Sequence, residues 1–342
     1  MSIIKHRGST MPQLVLTKIG HAEWVEVPVP ELLGSREALV RPIVVSTCDM
    51  DVAIKTGAFP MRLPYAVGHE FVAEVVEVAE AVRDVSPGDV VAVPFQISCG
   101  DCSRCRRGRT ADCASVPVTS MYGMGDVGGP WGGALTELVR VPYADAMLVP
   151  LPAGVEPAQV ASLDNLTDAW RTVAPHLRDD DPRVLVVGRL SIGLYAVAIA
   201  VALGAEVTYV DVSSARRDLA ERLGAKTIAN VDGMRLGRYP VTVSTDATAR
   251  GLRLALDSTD RGGVCTDTGA FSGDVPLPLC EMYRKGVTMM TGHADSRTHM
   301  PDVLDLVATR RLDPSMVTTA TASWDQAPAG WSRHVGKLVV IR

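Results

Sequence analysis

The stretch that decides the fold is VLVVGRLSIGLYAVAIAVALGAEVTYVDVSSARR, residues 184–217. It begins with a bare apolar run of the kind found in strands buried on both faces, and a glycine turn and a long helical segment follow. A second apolar strand then ends at the acidic residue Asp211. A strand, a glycine turn, a helix, a second strand and an acid are the outline of a dinucleotide-binding βαβ unit.

The turn of this unit, G-R-L-S-I-G, departs at one position from the pattern G-x-G-x-x-G. In that pattern the first glycine makes the tight turn, the second lets the backbone approach a pyrophosphate, and the third lets the helix pack closely on the strand. Gly188 and Gly193 keep the first and third roles, whereas Leu190 puts a branched side chain at the second. Ser191 and Ile192 begin the helix, whose free N–H groups still favour an anion.

The residues after the second strand bear on which dinucleotide is bound. Asp211 stands where an acid hydrogen-bonds a ribose 2′-hydroxyl and disfavours a 2′-phosphate, which predicts NAD(H) over NADP(H). Arg216, on the following helix, weakens that preference. Two interpretations stay open: a working nicotinamide site, or a dinucleotide-binding fold kept as a scaffold with an impaired cofactor site.

The pattern along the chain predicts two kinds of architecture. Up to about residue 150, short β-rich runs are separated by Gly and Pro, which is typical of a compact, mostly antiparallel, barrel-like domain. From about residue 165, strands alternate with helices, which predicts βαβ units and a doubly wound parallel sheet. The fold class is therefore α/β, with a β-rich domain beside it.

Composition excludes several classes of function. The 342 residues are 47% apolar with a net charge of −5, which fits a globular protein and gives no sign of a nucleic-acid or anionic-membrane partner. The longest apolar run, Ile192 to Leu203, is too short to span a bilayer. No secretion signal is recognisable, so the expected location is the cytoplasm.

Four of the seven cysteines crowd into the run CGDCSRCRRGRTADC, with the spacing C-x2-C-x2-C-x7-C. Four thiolates from one short loop close a tetrahedron around Zn²⁺ and leave no open position for chemistry. The metal then replaces a hydrophobic core for a loop too polar to fold alone. An iron–sulfur cluster and two disulfides are the alternatives. The predicted structural zinc ligands are Cys99, Cys102, Cys105 and Cys113.

Three separate segments suggest a second metal site. They are STCDMD with Cys48, VGHEF with His69 and Glu70, and ASLDNLTDAW with Asp164. A thiolate, an imidazole and a carboxylate make a three-ligand zinc site with a free fourth position. Taken singly, the same residues also fit a buried core thiol, a satisfied core histidine and a helix cap.

These motifs together resemble the zinc-dependent medium-chain dehydrogenase/reductase family of the alcohol dehydrogenase type. The resemblance rests on G-H-E at residues 68–70, PGDVVAV at residues 87–93, the four-cysteine run and the dinucleotide-binding unit. It implies a GroES-like zinc-binding catalytic domain of residues 1–165 and 291–342. It also implies a Rossmann dinucleotide-binding domain of residues 166–290.

The resemblance also implies roles in catalysis and two zinc ions per chain. Cys48 and His69 would be catalytic zinc ligands, and Asp164 falls where the family has a third. Glu70 would lie behind the metal, either supporting its ligands or exchanging with one of them, and Asp51 would hydrogen-bond the far nitrogen of His69.

Two functions are compatible with these residues. The first is a zinc-dependent oxidoreductase that transfers hydride between a nicotinamide cofactor and an alcohol, aldehyde or ketone. The second is a redox-neutral lyase or isomerase, or a catalytically silent scaffold. Cofactor binding distinguishes them. The resemblance further implies a homodimer or homotetramer.

Overall fold

The structure is a computed structural model that describes residues 9–229, 233, 235–271, 273–334 and 336–342. Short strands fill the first half of the described chain, and strands alternate with helices in the second. The strands are β1 (Thr10–Lys18), β2 (His21–Pro28), β3 (Ala38–Ser46), β4 (Tyr65–Ala66), β5 (Glu70–Val78), β6 (Val90–Val93), β7 (Val139–Val141), β8 (Val149–Pro150), β9 (Arg183–Val187), β10 (Glu206–Asp211), β11 (Lys226–Ala229), β12 (Tyr239–Ser244), β13 (Thr259–Asp267), β14 (Thr288–Thr291), β15 (Ala320–Ser323) and β16 (Leu338–Ile341). The α-helices are α1 (Asp49–Lys55), α2 (Gly125–Gly128), α3 (Ala144–Met147), α4 (Leu163–Val173), α5 (Leu190–Ala202), α6 (Ser214–Arg222), α7 (Ala249–Ser258), α8 (Leu279–Lys285), α9 (Ser296–Ala308) and α10 (Ala327–Arg333).

Two compact units divide the chain. The first takes the described residues of Met1–Asp164, Asp295–Pro301 and Thr318–Arg342, and the second takes those of Asn165–Ala294 and Asp302–Val317. This division differs from the expected one because Asn165, residues 291–294 and residues 302–317 belong to the second unit. The Arg311 guanidinium donates a 2.9 Å hydrogen bond to the carbonyl of Ala202, and Pro314–Val317 packs on α5.

The first unit is mostly antiparallel. Strands β2, β1 and β4 form one sheet, and a larger sheet runs in the order β15, β16, β3, β5, β6, β8, with β7 paired to β3. Only the pair β15–β16 is parallel among the pairings described for this unit. Ser46, at the end of β3, lies opposite Glu70 at the start of β5. This register brings Cys48 and His69, which lie just beyond those two strand ends, to the same edge of the sheet.

The second unit is a six-stranded parallel sheet. Its strand order is β11, β10, β9, β12, β13, β14, and each described pairing is parallel. The chain steps outward in one direction from β9 to β11 and in the other from β12 to β14. In such a sheet the order reverses between β9 and β12, and ligands bind outside the carboxyl ends of the strands at that point.

Each unit has its own apolar core. In the second unit, every residue from Val184 to Val187 in β9 is buried, because this central strand is covered on both faces. Helix α5 is buried along almost its whole length. Within the described residues, no helix combines the length and apolar character needed to cross a bilayer.

Candidate metal and cofactor sites

The four-cysteine loop forms a compact cluster in the first unit. The sulfur atoms of Cys99, Cys102, Cys105 and Cys113 all lie within 4.8 Å of one another. Sulfur atoms that share a zinc at about 2.3 Å lie about 3.8 Å apart. The cluster is therefore close to the size of a four-thiolate site. All seven cysteines lie in the described residues and carry free thiols, so the structure contains no disulfide pairing.

The backbone of this loop is arranged for thiolates. The N–H groups of Cys105 and Ala114 each donate to the Cys102 sulfur at 3.4 Å, and they lower the pKa of that thiol to about 6. The N–H of Cys99 donates to the Cys113 sulfur, also at 3.4 Å. Sulfur atoms that accept hydrogen bonds and share one small volume fit the donor set of a closed zinc site.

A second cluster of donors lies elsewhere in the first unit. Cys48 directly precedes α1, His69 directly precedes β5, and Asp164 is the second residue of α4. Their ligand atoms lie within 4.8 Å of one another. The Asp164 Oδ2 atom is 3.8 Å from both Cys48 Sγ and His69 Nε2. Three segments far apart in the chain thus converge on one point.

The electrostatics of this second cluster fit a cation. Burial raises the pKa of the Cys48 thiol well above its usual value, and the carboxylates of Glu70 and Asp164 raise it further. A thiolate at this position therefore depends on a positive charge beside it, which a divalent metal ion supplies. One thiolate, one imidazole and one carboxylate are a donor set that zinc accepts, with one position left open.

Charged side chains surround these three donors. The Asp51 Oδ2 atom accepts the N–H of Cys48 at 2.8 Å and lies 4.0 Å from His69 Nδ1. The expected hydrogen bond between Asp51 and His69 is therefore not formed at this distance, and His69 Nδ1 has no hydrogen-bond partner among the described residues. Glu70 is paired with Lys337 at 2.9 Å, and both side chains are almost completely buried. The Ser296 hydroxyl donates to the Asp164 Oδ1 atom at 3.2 Å.

The glycine turn of the second unit keeps the backbone that the sequence pattern requires. A Cβ atom on Gly188 would lie 2.2 Å from the ring of Tyr209, and one on Gly193 would lie 2.7 Å from the Thr245 hydroxyl. Both positions therefore need glycine. Leu190 begins α5 with φ of +58°, in the left-handed region that favours glycine. The turn keeps its path at a cost of about 1–2 kcal/mol.

The residues around that turn are partly exposed and partly fixed by hydrogen bonds. Ser191 is buried, and its hydroxyl lies 3.0 Å from the Asn165 side chain, whereas Ile192 is half-buried. The N–H of Arg189 donates to the Thr245 hydroxyl at 3.1 Å. The first backbone N–H groups of α5, a helix of 13 residues, still lie at the carboxyl end of β9.

Asp211 lies at the end of β10, as expected, but its carboxylate is already engaged. Oδ2 accepts the Tyr209 hydroxyl at 2.7 Å and Arg216 Nε at 2.6 Å. Oδ1 accepts the N–H of Ser213 at 2.7 Å and a second Arg216 nitrogen at 2.8 Å. A carboxylate has about four lone-pair sites. The side chain of Asp211 is 0% exposed, so a ribose hydroxyl reaches it only if one partner moves.

Comparison with known proteins gives the family. Residues 34–153 match the alcohol dehydrogenase GroES-like domain, and residues 191–309 match the zinc-binding dehydrogenase domain. A medium chain reductase/dehydrogenase of Acremonium sp is 32% identical over 276 residues, which are 75% of this chain and 92% of that relative. This chain belongs to the zinc-dependent medium-chain dehydrogenase/reductase family. The resemblance inferred from the motifs is confirmed, and so is the fold class.

Solved structures agree with this family. The alcohol dehydrogenase from Thermus sp. ATN1 superposes with a TM-score of 0.89 at 30% identity, covering 97% of this chain and 99% of that one. A zinc-binding dehydrogenase from Sinorhizobium meliloti 1021, solved with NADP bound, gives a TM-score of 0.80 at 25% identity. It covers 98% of this chain and 100% of that one. A family of dehydrogenases supports an oxidoreductase as the general activity.

Sequence reasoning missed three residues of these dehydrogenase sites. Lys337 is a single charge at the start of the apolar strand β16, which is a visible signal, but its partner Glu70 is 267 positions away. Ser296 carried no signal of its own. Tyr209 was unremarkable in the strand EVTYVD, although period-two alternation does place it on the same face as Asp211.

Proposed function

We propose that this chain is a zinc-dependent oxidoreductase that transfers hydride between a nicotinamide dinucleotide and an alcohol/carbonyl pair. The observation that carries the proposal is the convergence of Cys48, His69 and Asp164 within 4.8 Å. Three donors of three chemical types leave one position of a tetrahedron open, which is the arrangement of catalytic rather than structural zinc sites.

The residues of the first unit have distinct proposed roles. Cys48, His69 and Asp164 would hold the catalytic zinc, and the four cysteines of the loop would hold the structural one. Bound zinc supplies Lewis-acid chemistry, which lowers the pKa of an alcohol or polarises a carbonyl. Asp51 would orient the His69 ring from behind the metal, and Glu70 would be available as an exchanging ligand once Lys337 releases it.

The second unit would hold the cofactor. The N–H groups at the start of α5 would receive the pyrophosphate, with Gly188 and Gly193 keeping the turn tight and Leu190 keeping its left-handed path. A bound nicotinamide ring supplies the hydride acceptor or donor. NAD(H) is proposed over NADP(H) because of the carboxylate at the end of β10, although its pairing with Arg216 makes the preference modest.

A redox-neutral or catalytically silent protein is the second candidate. Two points favour it: the pattern position at which a phosphate is approached by the backbone carries the branched residue Leu190, and the Asp211 carboxylate has four hydrogen bonds already. In that case Lewis-acid chemistry at the Cys48 site would act without hydride transfer.

Calorimetric titration of the zinc-loaded protein with NADH, and separately with NADPH, decides between the two candidates. Micromolar binding of NADH supports the oxidoreductase and justifies a screen of alcohols, aldehydes and ketones. Absence of binding by either dinucleotide rejects the oxidoreductase and makes the redox-neutral protein the better account.

Partners and location are part of the same proposal. The substrate would be a small alcohol, aldehyde or ketone, with no nucleic-acid or membrane partner, in the cytoplasm. A homodimer or homotetramer would assemble through the edge strand β14, where Met290 is 42% exposed. In the same unit, Tyr283 of α8 is 88% exposed. An unpaired edge with exposed apolar side chains is a surface that a second copy pairs with.

A further inference from the structure

Lys55 is a buried lysine whose amino group has no hydrogen-bond partner among the described residues. Only 4% of the residue is exposed, and Nζ contacts no acceptor in that part of the chain. The other buried lysine of the first unit, Lys337, is satisfied by Glu70 at 2.9 Å and by the Thr47 carbonyl. An unpaired buried ammonium costs free energy, so its presence calls for an explanation.

The position of Lys55 connects it to the candidate catalytic metal site. It is the last residue of α1, four positions after Asp51, so both side chains lie on one face of the helix. Asp51 contacts the Cys48 N–H through Oδ2, and the same oxygen is 4.0 Å from His69 Nδ1. The other oxygen of Asp51, Oδ1, has no partner among the described residues. Counted toward the metal position, the groups are therefore the Lys55 ammonium, the Asp51 carboxylate and the His69 imidazole.

The charges at this site do not balance without Lys55. The site contains four buried acidic groups: Cys48, Asp51, Glu70 and Asp164. The three carboxylates each raise the pKa of the Cys48 thiol, because like charges repel. Lys337 compensates Glu70, and a divalent metal compensates two further charges. Lys55 supplies the remaining positive charge beside Asp51. Counted with zinc, the four acids and the two lysines sum to zero.

We propose that Lys55 is a positioning residue that sets the acidity of the metal site by acting on His69 through Asp51. The inference rests on the proposed catalytic zinc. A carboxylate behind a metal-bound imidazole makes the imidazole a stronger donor and the metal a weaker Lewis acid. A cation behind that carboxylate opposes the effect, so Lys55 would make a zinc ion held by His69 a stronger Lewis acid toward its fourth ligand.

Other charged groups also face this region. His334, which follows α10, experiences the charge of Lys55, and Tyr65 of β4 faces the Asp51 carboxylate. Burial lowers the pKa of Lys55, whereas Asp51 opposes that change and favours the charged form.

The test is Lys55→Met, which keeps the length of the side chain and removes its charge. The reporter is Co²⁺ placed at the Cys48 site, whose absorption spectrum titrates with the ionisation of a bound water. Loss of one unit charge should move that midpoint upward by roughly 0.5–1 pH unit. Because an unpaired buried charge is removed, the melting temperature of the zinc-loaded variant should rise, by roughly 2 °C.

The controls separate this role from a structural one. Lys55→Arg, which restores the charge, should restore the midpoint, and Lys18→Met, at an exposed lysine of the same unit, should change neither quantity. A lower melting temperature with an unchanged midpoint would overturn the proposal and make Lys55 structural. Failure of the wild-type protein to take up Co²⁺ at this site would instead reject the proposed zinc site itself.

Discussion

Leu190 replaces a glycine of the motif, yet its backbone adopts a conformation that favours glycine. Its φ of +58° lies in the left-handed region, which glycine adopts far more readily than leucine. Neighbouring contacts hold it there: Gly188 is pressed against Tyr209, and the Arg189 N–H is bound to Thr245. The conformational part of the motif is therefore intact, and only the bulk of the leucine side chain is new.

Replacing Leu190 with glycine should tighten the binding of NADH about five- to tenfold in calorimetric titration. The side chain that opposes phosphate oxygens is lost, and backbone strain of about 1–2 kcal/mol is relieved. Because glycine costs about 0.5–1 kcal/mol in unfolded-state entropy, the free energy of unfolding should change by less than about 1 kcal/mol. Arg310→Gly, at another left-handed residue of the same unit, is the control and should leave affinity unchanged. Equal affinity in wild type and Leu190→Gly would contradict this role.

Arg216 pairs with the Asp211 carboxylate at 2.6 Å and so reduces the negative charge that a bound cofactor would meet. Arg216→Ala leaves that carboxylate with the Tyr209 and Ser213 hydrogen bonds only, so a 2′-phosphate meets an uncompensated negative charge. The ratio of NADH to NADPH affinity should rise about tenfold. Arg217→Ala is the matched control, because Arg217 binds the main-chain carbonyl of Asp211 and not its carboxylate. A ratio that stays at the wild-type value would show that this carboxylate does not select the cofactor.

At the scale of elements, the two proposed metal sites differ in whether the surrounding backbone is positioned by regular secondary structure. The loop of residues 99–113 contains only short 3₁₀ turns, Cys105–Arg107 and Thr110–Asp112, and its own buried cluster consists of cysteines. We therefore expect its fold to depend on the proposed zinc ion. The Cys48 site lies instead at the ends of β3 and β5, which a sheet already positions.

Cys102→Ser should remove one of two zinc ions and lower the melting temperature sharply, with aggregation on heating. Removing one thiolate from a closed site costs most of the metal's contribution to folding. Cys48→Ala should also remove one zinc ion, but the melting temperature of this variant should stay close to that of the wild-type protein. Zinc analysis and thermal unfolding of both variants check this contrast. A fully stable Cys102→Ser protein with two zinc ions would rule out the closed site.

The burial of Lys55 in α1 also predicts a dependence of stability on pH. The pKa of Lys55 is lower in the folded protein than in the unfolded chain, because burial disfavours the charged form. Between those two pKa values the unfolded chain binds more protons, so stability gains with rising pH. The stability advantage of Lys55→Met over wild type should be larger at neutral pH than at alkaline pH, and should shrink as pH approaches 10.5. Denaturant unfolding of both proteins at pH 7, 8.5 and 10 measures it, and a gap that widens with pH would contradict the prediction.

At the scale of the whole molecule, the edge of the parallel sheet is the proposed interface between copies of the chain. β14 is the last strand of that sheet, and Met290 is exposed on it. Met290→Lys should shift the protein to monomers in sedimentation velocity, because a charge on an edge strand opposes pairing with a second copy. Val118→Lys, at an exposed apolar residue of the first unit, should leave the assembly unchanged. A wild-type protein that sediments as a monomer would remove this edge as an interface.

The sequence by itself determined whatever depends on local periodicity and spacing. The alternation of strands and helices after residue 165 predicted the parallel sheet, and C-x2-C-x2-C-x7-C predicted a cluster from one loop. The sequence also indicates Cys48, His69 and Asp164 as one set of metal ligands, since family motifs lie beside them. The tertiary structure alone decided what surrounds these residues. Asp211 is saturated by Arg216 and Tyr209, and Glu70 is paired with Lys337. Lys55 lies buried with no hydrogen-bond partner among the described residues. These properties depend on desolvation and on contacts between distant segments, which residue order alone does not encode.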